Sequence, residues 1–226
     1  MRNPLSKTIE QIKPSGIRKF FDIVSEMPHA ISLGVGEPDF DTPWHVRSEG
    51  IRSLEKGRTF YTSNSGLIEL RQEICKWYQR KYNVLYDYKT EALLTVGGSE
   101  GIDVALRAML DPGDEVIIPE PCYVSYVPCV QLIGAVPVTI ELKNENQFRL
   151  TPEELLAAIT DKTKILILAF PSNPTGAVMT KEDLEPIAKI CQEKDIYVIS
   201  DEIYSELTYG GSKQCSVLSL PGVEGW

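Results

Sequence analysis

A three-layer α/β sandwich on a mainly parallel sheet is the fold this sequence predicts, and three observations carry it. Short apolar, β-branched runs alternate with segments whose apolar spacing is three or four, the pattern of parallel strands joined by helical crossovers. Two of the runs, Ile165–Leu168 and Ile196–Ile199, do not alternate with polar residues, so both faces of those strands should be covered. The chain has 226 residues, 42% of them hydrophobic and 24% charged, which is enough apolar side chain to bury one large core.

Taken in order, an amphipathic stretch around Ile17–Ile23 leads to a Gly- and Pro-rich loop at Gly34–Pro43 and then to helices over Pro43–Leu54 and Leu67–Tyr82. Expected strands follow at Leu93–Val96, Glu115–Ile118, Val136–Ile140, Ile165–Phe170 and Ile196–Ser200. Between them, Ile102, Ala105, Leu106 and Met109 share one helix face, as do Leu155, Leu156 and Ile159, and then Leu184, Ile187, Ala188 and Cys191. Thr151 with Pro152, Glu153 and Glu154 supplies an N-cap, a first-turn proline and carboxylates at the positive helix end. Thr180 with Asp183 repeats the device. On this reading residues 1–42 form an arm and part of a small domain, and residues 43–226 form a large domain, incomplete at its C-terminal end.

Composition narrows the function classes. Thirty-two acidic against 23 basic residues give a formal charge of -9, the wrong sign for broad attraction to nucleic acid or to an anionic membrane surface. The five cysteines, Cys75, Cys122, Cys129, Cys191 and Cys215, are scattered and contain no CxxC, which argues against a disulfide framework or a zinc site and suits a reducing cytoplasm. With His29 and His45 the only histidines, metal-assisted hydrolysis is disfavoured. No apolar stretch reaches the ~18 residues of a membrane span, and no apolar leader opens the chain.

In an open α/β sheet the ligand sits beyond the carboxyl ends of the strands, so the residues just after each run carry the information. Gly97, Gly98, Ser99 and Glu100 follow the first run and lead into a helix, where backbone amides can approach an anion. Alone, the same residues read first as a tight strand-to-helix turn with a serine cap. Their spacing is not that of a dinucleotide-binding glycine loop. Pro171 to Gly176 pins Asn173 between prolines, either as a ligand contact or as ordinary loop punctuation. Asp201 follows the last run with Tyr204 three residues on, and a carboxylate there either meets a cationic or protonated partner or caps the next helix. Their joint occurrence at one sheet edge matches a pyridoxal phosphate pocket, which needs a site for one phosphate, an acid for the pyridine nitrogen and donors for the phenolic oxygen.

The chain resembles the class I/II aminotransferases of the fold-type-I pyridoxal-phosphate-dependent family. The likeness runs through Gly34, Val35, Gly36, Glu37, Pro38 and Asp39, then Tyr61 with Gly66, Leu70 and Arg71, then Gly97 to Glu100. It continues through Pro119, Glu120 and Pro121 with Tyr123 and Tyr126, Asn173 to Gly176, and Ser200, Asp201 and Glu202 with Tyr204. The resemblance implies that Gly98, Ser99 and Glu100 hold the cofactor phosphate and that Tyr123 stacks on the pyridine ring. It further implies that Asn173 and Tyr204 bond the phenolic oxygen, that Asp201 pairs with the ring nitrogen, and that Gly36, with Asn173, lies near the substrate carboxylate. Tyr61 would reach the phosphate of a neighbouring subunit, which implies a homodimer, and the substrates would be an L-amino acid and a 2-oxo acid.

In relatives a lysine beyond the aspartate anchors the cofactor covalently, and later arginines bind phosphate and substrate carboxylate. Lys213 lies too close to Asp201 for that part and is expected to be a solvated loop residue. The chain is therefore expected to be a front portion, inactive alone, in which Leu93–Val96 lacks its strand neighbours. Two alternatives stand beside amino transfer: a carbon–sulfur lyase or cyclopropane-forming synthase of the same fold, and a non-catalytic ligand sensor. The sensor is disfavoured by the acidic charge and by the short arm ahead of Gly34.

Overall fold

The computed structural model describes residues 2–12, 23, 26, 27, 29, 31, 36, 38, 40–207, 209 and 215–223. The chain divides into two compact units, one of residues 1–12 with 65–226 and one of residues 13–64. The smaller unit contributes helix α2 (Trp44–Glu55), close to the helix expected over Pro43–Leu54. Most of the Ile17–Ile23 stretch, Gly34, Val35, Glu37, Asp39 and Lys213 lie outside the described residues.

In the larger unit a short helix α1 (Lys7–Gln11) is followed by α3 (Ile68–Tyr82) and α4 (Gly98–Met109). Then come β1 (Glu115–Glu120), α5 (Tyr126–Ile133), β2 (Val136–Glu141), α6 (Pro152–Ala158), β3 (Thr163–Ala169), α7 (Lys181–Lys194) and β4 (Tyr197–Asp201). The four strands form one parallel sheet in the order β2-β1-β3-β4, with Ile117 level with both Val138 and Leu166, and Ile167 level with Ile199.

Successive strand residues point to opposite faces, and here both faces are apolar. Val116, Ile118, Ile165 and Ile167 pack on one side against Ile102 and Leu106 of α4 and Tyr126 and Val130 of α5. Ile117, Ile140, Leu166 and Leu168 pack on the other against Leu155 of α6 and Leu184, Ile187 and Cys191 of α7. Leu106, Val116, Ile117, Ile118, Leu155, Ile165 and Leu166 are fully buried, and each such side chain contributes about 1.5–3 kcal/mol. The expected three layers are thus helix, sheet, helix. Both predicted caps form complete capping boxes: Thr151 with Glu154 at α6, and Thr180 with Asp183 at α7.

Two local expectations are corrected. Leu93–Val96, expected as a strand without its neighbours, does join no ladder among the described strands, and it is not itself a strand; Val96 is 92% exposed, and the amide of Leu94 donates instead to the Ser65 carbonyl at 3.1 Å. That close approach needs a glycine at 66, where φ is +93° and a Cβ would stand 2.6 Å from the Leu94 side chain. Helix α5, in turn, was not expected from Tyr126, Val127, Pro128 and Val130. Pro128 is tolerated because it falls in the first turn, where a backbone N–H has no helical partner to lose.

Candidate functional site

Strand order places the site. From β1 the chain moves outward to β2 on one side, and from β3 outward to β4 on the other, so the connections diverge between β1 and β3. At such a switch point the loops leaving the carboxyl ends part and leave a crevice. A cleft of about 760 Å³ lies there, within the ~300–1,000 Å³ usual for small-molecule sites.

Six of the residues singled out by sequence line this cleft: Gly98, Ser99, Tyr123, Asn173, Asp201 and Tyr204. Gly98 and Ser99 open α4, whose N-cap, Gly97, has φ +87° and no side-chain oxygen to satisfy the first amides. A 12-residue helix therefore presents uncapped N–H groups and its positive end to the crevice. Beyond Gly98 the space is open, with no atom within 4 Å of where a Cβ would stand. Glu100 is not among the lining residues; its carboxylate turns back to accept a hydrogen bond from the Val96 amide and so braces the loop entering the helix.

Tyr123, in the connection after β1, places its hydroxyl 3.2 Å from Ser99 Oγ. Hydrogen bonds with Ser125 and then Ser99 hold that phenol below its usual range. The Tyr123 ring meets Tyr126 edge to face, with centroids 5.6 Å apart. Asn173 is exposed at the cleft in a loop closed by backbone bonds from Gly176 N to Ser172 O and from Ser172 N to Ala177 O.

Asp201 sits at the last position of β4, half-buried, with both carboxylate oxygens engaged. Oδ2 accepts from the Tyr126 hydroxyl at 2.7 Å and Oδ1 from the Ile203 amide at 3.1 Å. Tyr126 is 2% exposed, and burial, followed by its bond to Asp201 and that carboxylate's charge, pushes the phenol far above its ordinary value. It is a locked donor that fixes one face of the acid. Sequence reasoning quoted Tyr126 but gave it no part; the three-residue spacing from Tyr123 was the available signal, legible only once α5 is known to begin there.

Gly36 and Tyr61 belong to the smaller unit, where Tyr61 is fully exposed. Among the described residues no group of His, Cys, Asp and Glu is arranged to hold a metal ion, and no helix is long and apolar enough to cross a membrane.

Comparison with known proteins gives this geometry a family. Residues 28–225 match the sequence profile of the aminotransferases of class I and II. A putative aminotransferase, YugH, of Bacillus subtilis is 47% identical over 224 residues, covering 99% of this chain and 58% of the relative. Aromatic-amino-acid aminotransferase 2 of Thermococcus litoralis is 43% identical, covering 97% of this chain and 56% of the relative. Among solved structures, aspartate aminotransferase from Thermus thermophilus with maleate superposes with a TM-score of 0.89 at 38% identity, covering 97% of this chain and 58% of that one. The chain therefore spans little more than half the length of these relatives, and over that portion it shares their three-layer α/β fold. With the helix-end cradle, the aromatic pair and the strand-end acid already together in one cleft, the chain belongs to the class I and II aminotransferase family.

Proposed function

We propose that the full-length protein is a pyridoxal-phosphate-dependent aminotransferase that moves an amino group between an L-amino acid and a 2-oxo acid. The observation that carries this reading is the half-buried Asp201 carboxylate, held at the end of β4 by Tyr126 and facing the same cleft as the uncapped N-terminus of α4. An acid for a ring nitrogen and a cradle for a phosphate are what this cofactor requires, so the residues present fit it.

In this reading the amides of Gly98 and Ser99, with the Ser99 hydroxyl, bind the phosphate dianion at the positive helix end. Glu100 serves that loop through its bond to Val96 rather than by touching the phosphate. Tyr123 covers one face of the pyridine ring and excludes water from it. Asn173 and Tyr204 donate to the phenolic oxygen, and Asn173 receives the substrate carboxylate; a part for Gly36 there rests on the family resemblance alone. Asp201 holds a proton on the pyridine nitrogen. When bound, the cofactor supplies an electron sink for the electron pair released at the substrate Cα. Preorganisation is the contribution of this chain: Asp201 is oriented before any ligand arrives and need not rearrange.

The roles left to a covalent lysine and to carboxylate-binding arginines fall, on the family resemblance, in the length this chain does not span. Tyr61 reaching a second subunit's phosphate, a homodimer, a cytoplasmic location and a division into an arm of residues 1–42 and a large domain belong to the same proposal. The relatives' names suggest aspartate or an aromatic amino acid as donor. The test is to incubate the full-length protein with cofactor, each donor and a 2-oxo acid, and to follow both products. The proposal expects a new amino acid in step with a new 2-oxo acid. Release of ammonia or thiol without amino transfer would favour the lyase instead, and no turnover with any donor would contradict an enzyme of either kind.

A further inference from the structure

Glu202 follows the acid at the end of β4 and has no part in the reading above, yet its carboxylate is the meeting point of two segments that wall the cleft. Its Oε1 accepts from the Ser200 hydroxyl at 2.9 Å and from the Ser216 hydroxyl at 2.8 Å. Ser200 lies on β4 next to Asp201, whereas Ser216 stands 14 residues beyond Glu202 and is 1% exposed.

Ser216 is itself a local organiser. Its Oγ accepts from the Leu218 amide at 3.2 Å, and its carbonyl accepts from Ser219 Oγ at 2.6 Å, closing the short 3-10 turn Val217–Ser219. Leu218 on that turn lines the cleft, as do Glu202 and Tyr204. On the other side Tyr78 of α3 stands close enough that burial and then the Glu202 charge push its hydroxyl up. One oxygen thus joins the strand end, the turn carrying Tyr204 and the returning 215–220 segment.

We infer that Glu202 is a positioning residue: by gathering the Ser200 and Ser216 hydroxyls on a single oxygen, it fixes the β4 end and the turn after it, and so sets where Asp201 and Tyr204 meet the cofactor. The inference rests on the proposed cofactor site. Because both donors reach the same oxygen, an amide carbonyl can replace it, whereas an aliphatic side chain leaves a buried serine hydroxyl without its acceptor.

The experiment uses full-length protein and pyridoxal phosphate itself, reading the dissociation constant and the pH midpoint of the bound cofactor's absorption spectrum. Glu202→Leu should weaken binding about tenfold or more, the equivalent of one hydroxyl-to-carboxylate hydrogen bond, and displace the spectral midpoint. Glu202→Gln should stay within about threefold of the parent with the same midpoint, since its oxygen still accepts both bonds. Ser216→Ala, a small change that decides the matter if the leucine variant fails to fold, should fall between them. Parent-like constants and midpoints in both Glu202→Leu and Ser216→Ala, or a glutamine variant as impaired as the leucine one, would overturn the inference. A parent protein that does not bind the cofactor, or an Asp201→Ala variant that binds it as well as the parent, would overturn the proposed site as well.

Discussion

Replacing Tyr126 with phenylalanine isolates the bond on which the orientation of Asp201 depends. The ring stays in its packed position between α5 and the sheet, and only the hydroxyl donating to Asp201 Oδ2 at 2.7 Å is lost. A hydrogen bond to a charged group contributes about 1.5–3 kcal/mol. Because Asp201 borders the cleft and water can partly take the donor's place, the loss at pH 7 should lie toward the lower end of that range. The pH dependence sharpens the test. The phenol is raised in the folded state, by burial first and then by the carboxylate, so its stabilisation is complete below the unfolded tyrosine value near 10 and declines as pH rises beyond it. The parent should therefore lose about 1.4 kcal/mol per pH unit from this one group, a loss the phenylalanine variant does not have. Denaturant titrations at a series of pH values should show a constant gap up to about pH 9 that closes near pH 11. Equal stability at pH 7, or curves that stay parallel through pH 11, would mean that the Tyr126 hydroxyl does not hold Asp201.

Other predictions concern the framework. Leu106, fully buried where α4 meets the sheet, should cost about 2–5 kcal/mol when changed to alanine, measured as a shift of the urea midpoint with an unchanged slope. Burial pushes the Cys191 thiol up to about 12 and leaves it 3% exposed, so native protein treated with iodoacetamide at pH 8 should keep Cys191 unmodified. Peptide mass mapping should show the label there only after unfolding; native labelling would contradict the packing of α7 described above.

Much of the framework was legible because it depends on local pattern. The unbroken apolar run at 165–168 announced a strand covered on both faces, and β3 is buried from Ile165 to Leu168 with helices on both sides. The same expectation for 196–199 is not met, because β4 is an edge strand of the described sheet, with Ile196 buried but Tyr197 exposed and Val198 and Ile199 only half-buried. Thr151 and Thr180 announced helix starts, and both formed full capping boxes. What failed was decided by neighbours. Leu93–Val96 has the composition of a strand and, as expected, no neighbour among the described strands, so the strand assignment itself fails for want of a ladder partner. Helix α5 was hidden by Pro128 and β-branched residues, whose unfavourable propensity is overridden by burying Tyr126 and Val130 against the sheet. The site divides in the same way. Asn173, Asp201 and Tyr204 could be picked out by residue type and by place after a strand, Gly98 and Ser99 by a glycine turn leading into a helix, and Tyr123 by the family resemblance alone. The bonds from Tyr126 to Asp201, 75 residues apart, and from Ser216 to Glu202 are products of tertiary structure that no spacing rule contains.

In the proposed function the Asp201 carboxylate faces a pyridoxal phosphate ring. The most direct measurement is cofactor titration of the full-length protein and its Asp201→Ala variant by visible absorption, alongside circular dichroism and turnover. An intact fold, weakened binding with a displaced spectrum, and loss of amino transfer are expected in the variant. Normal turnover and a parent-like spectrum in Asp201→Ala would contradict it.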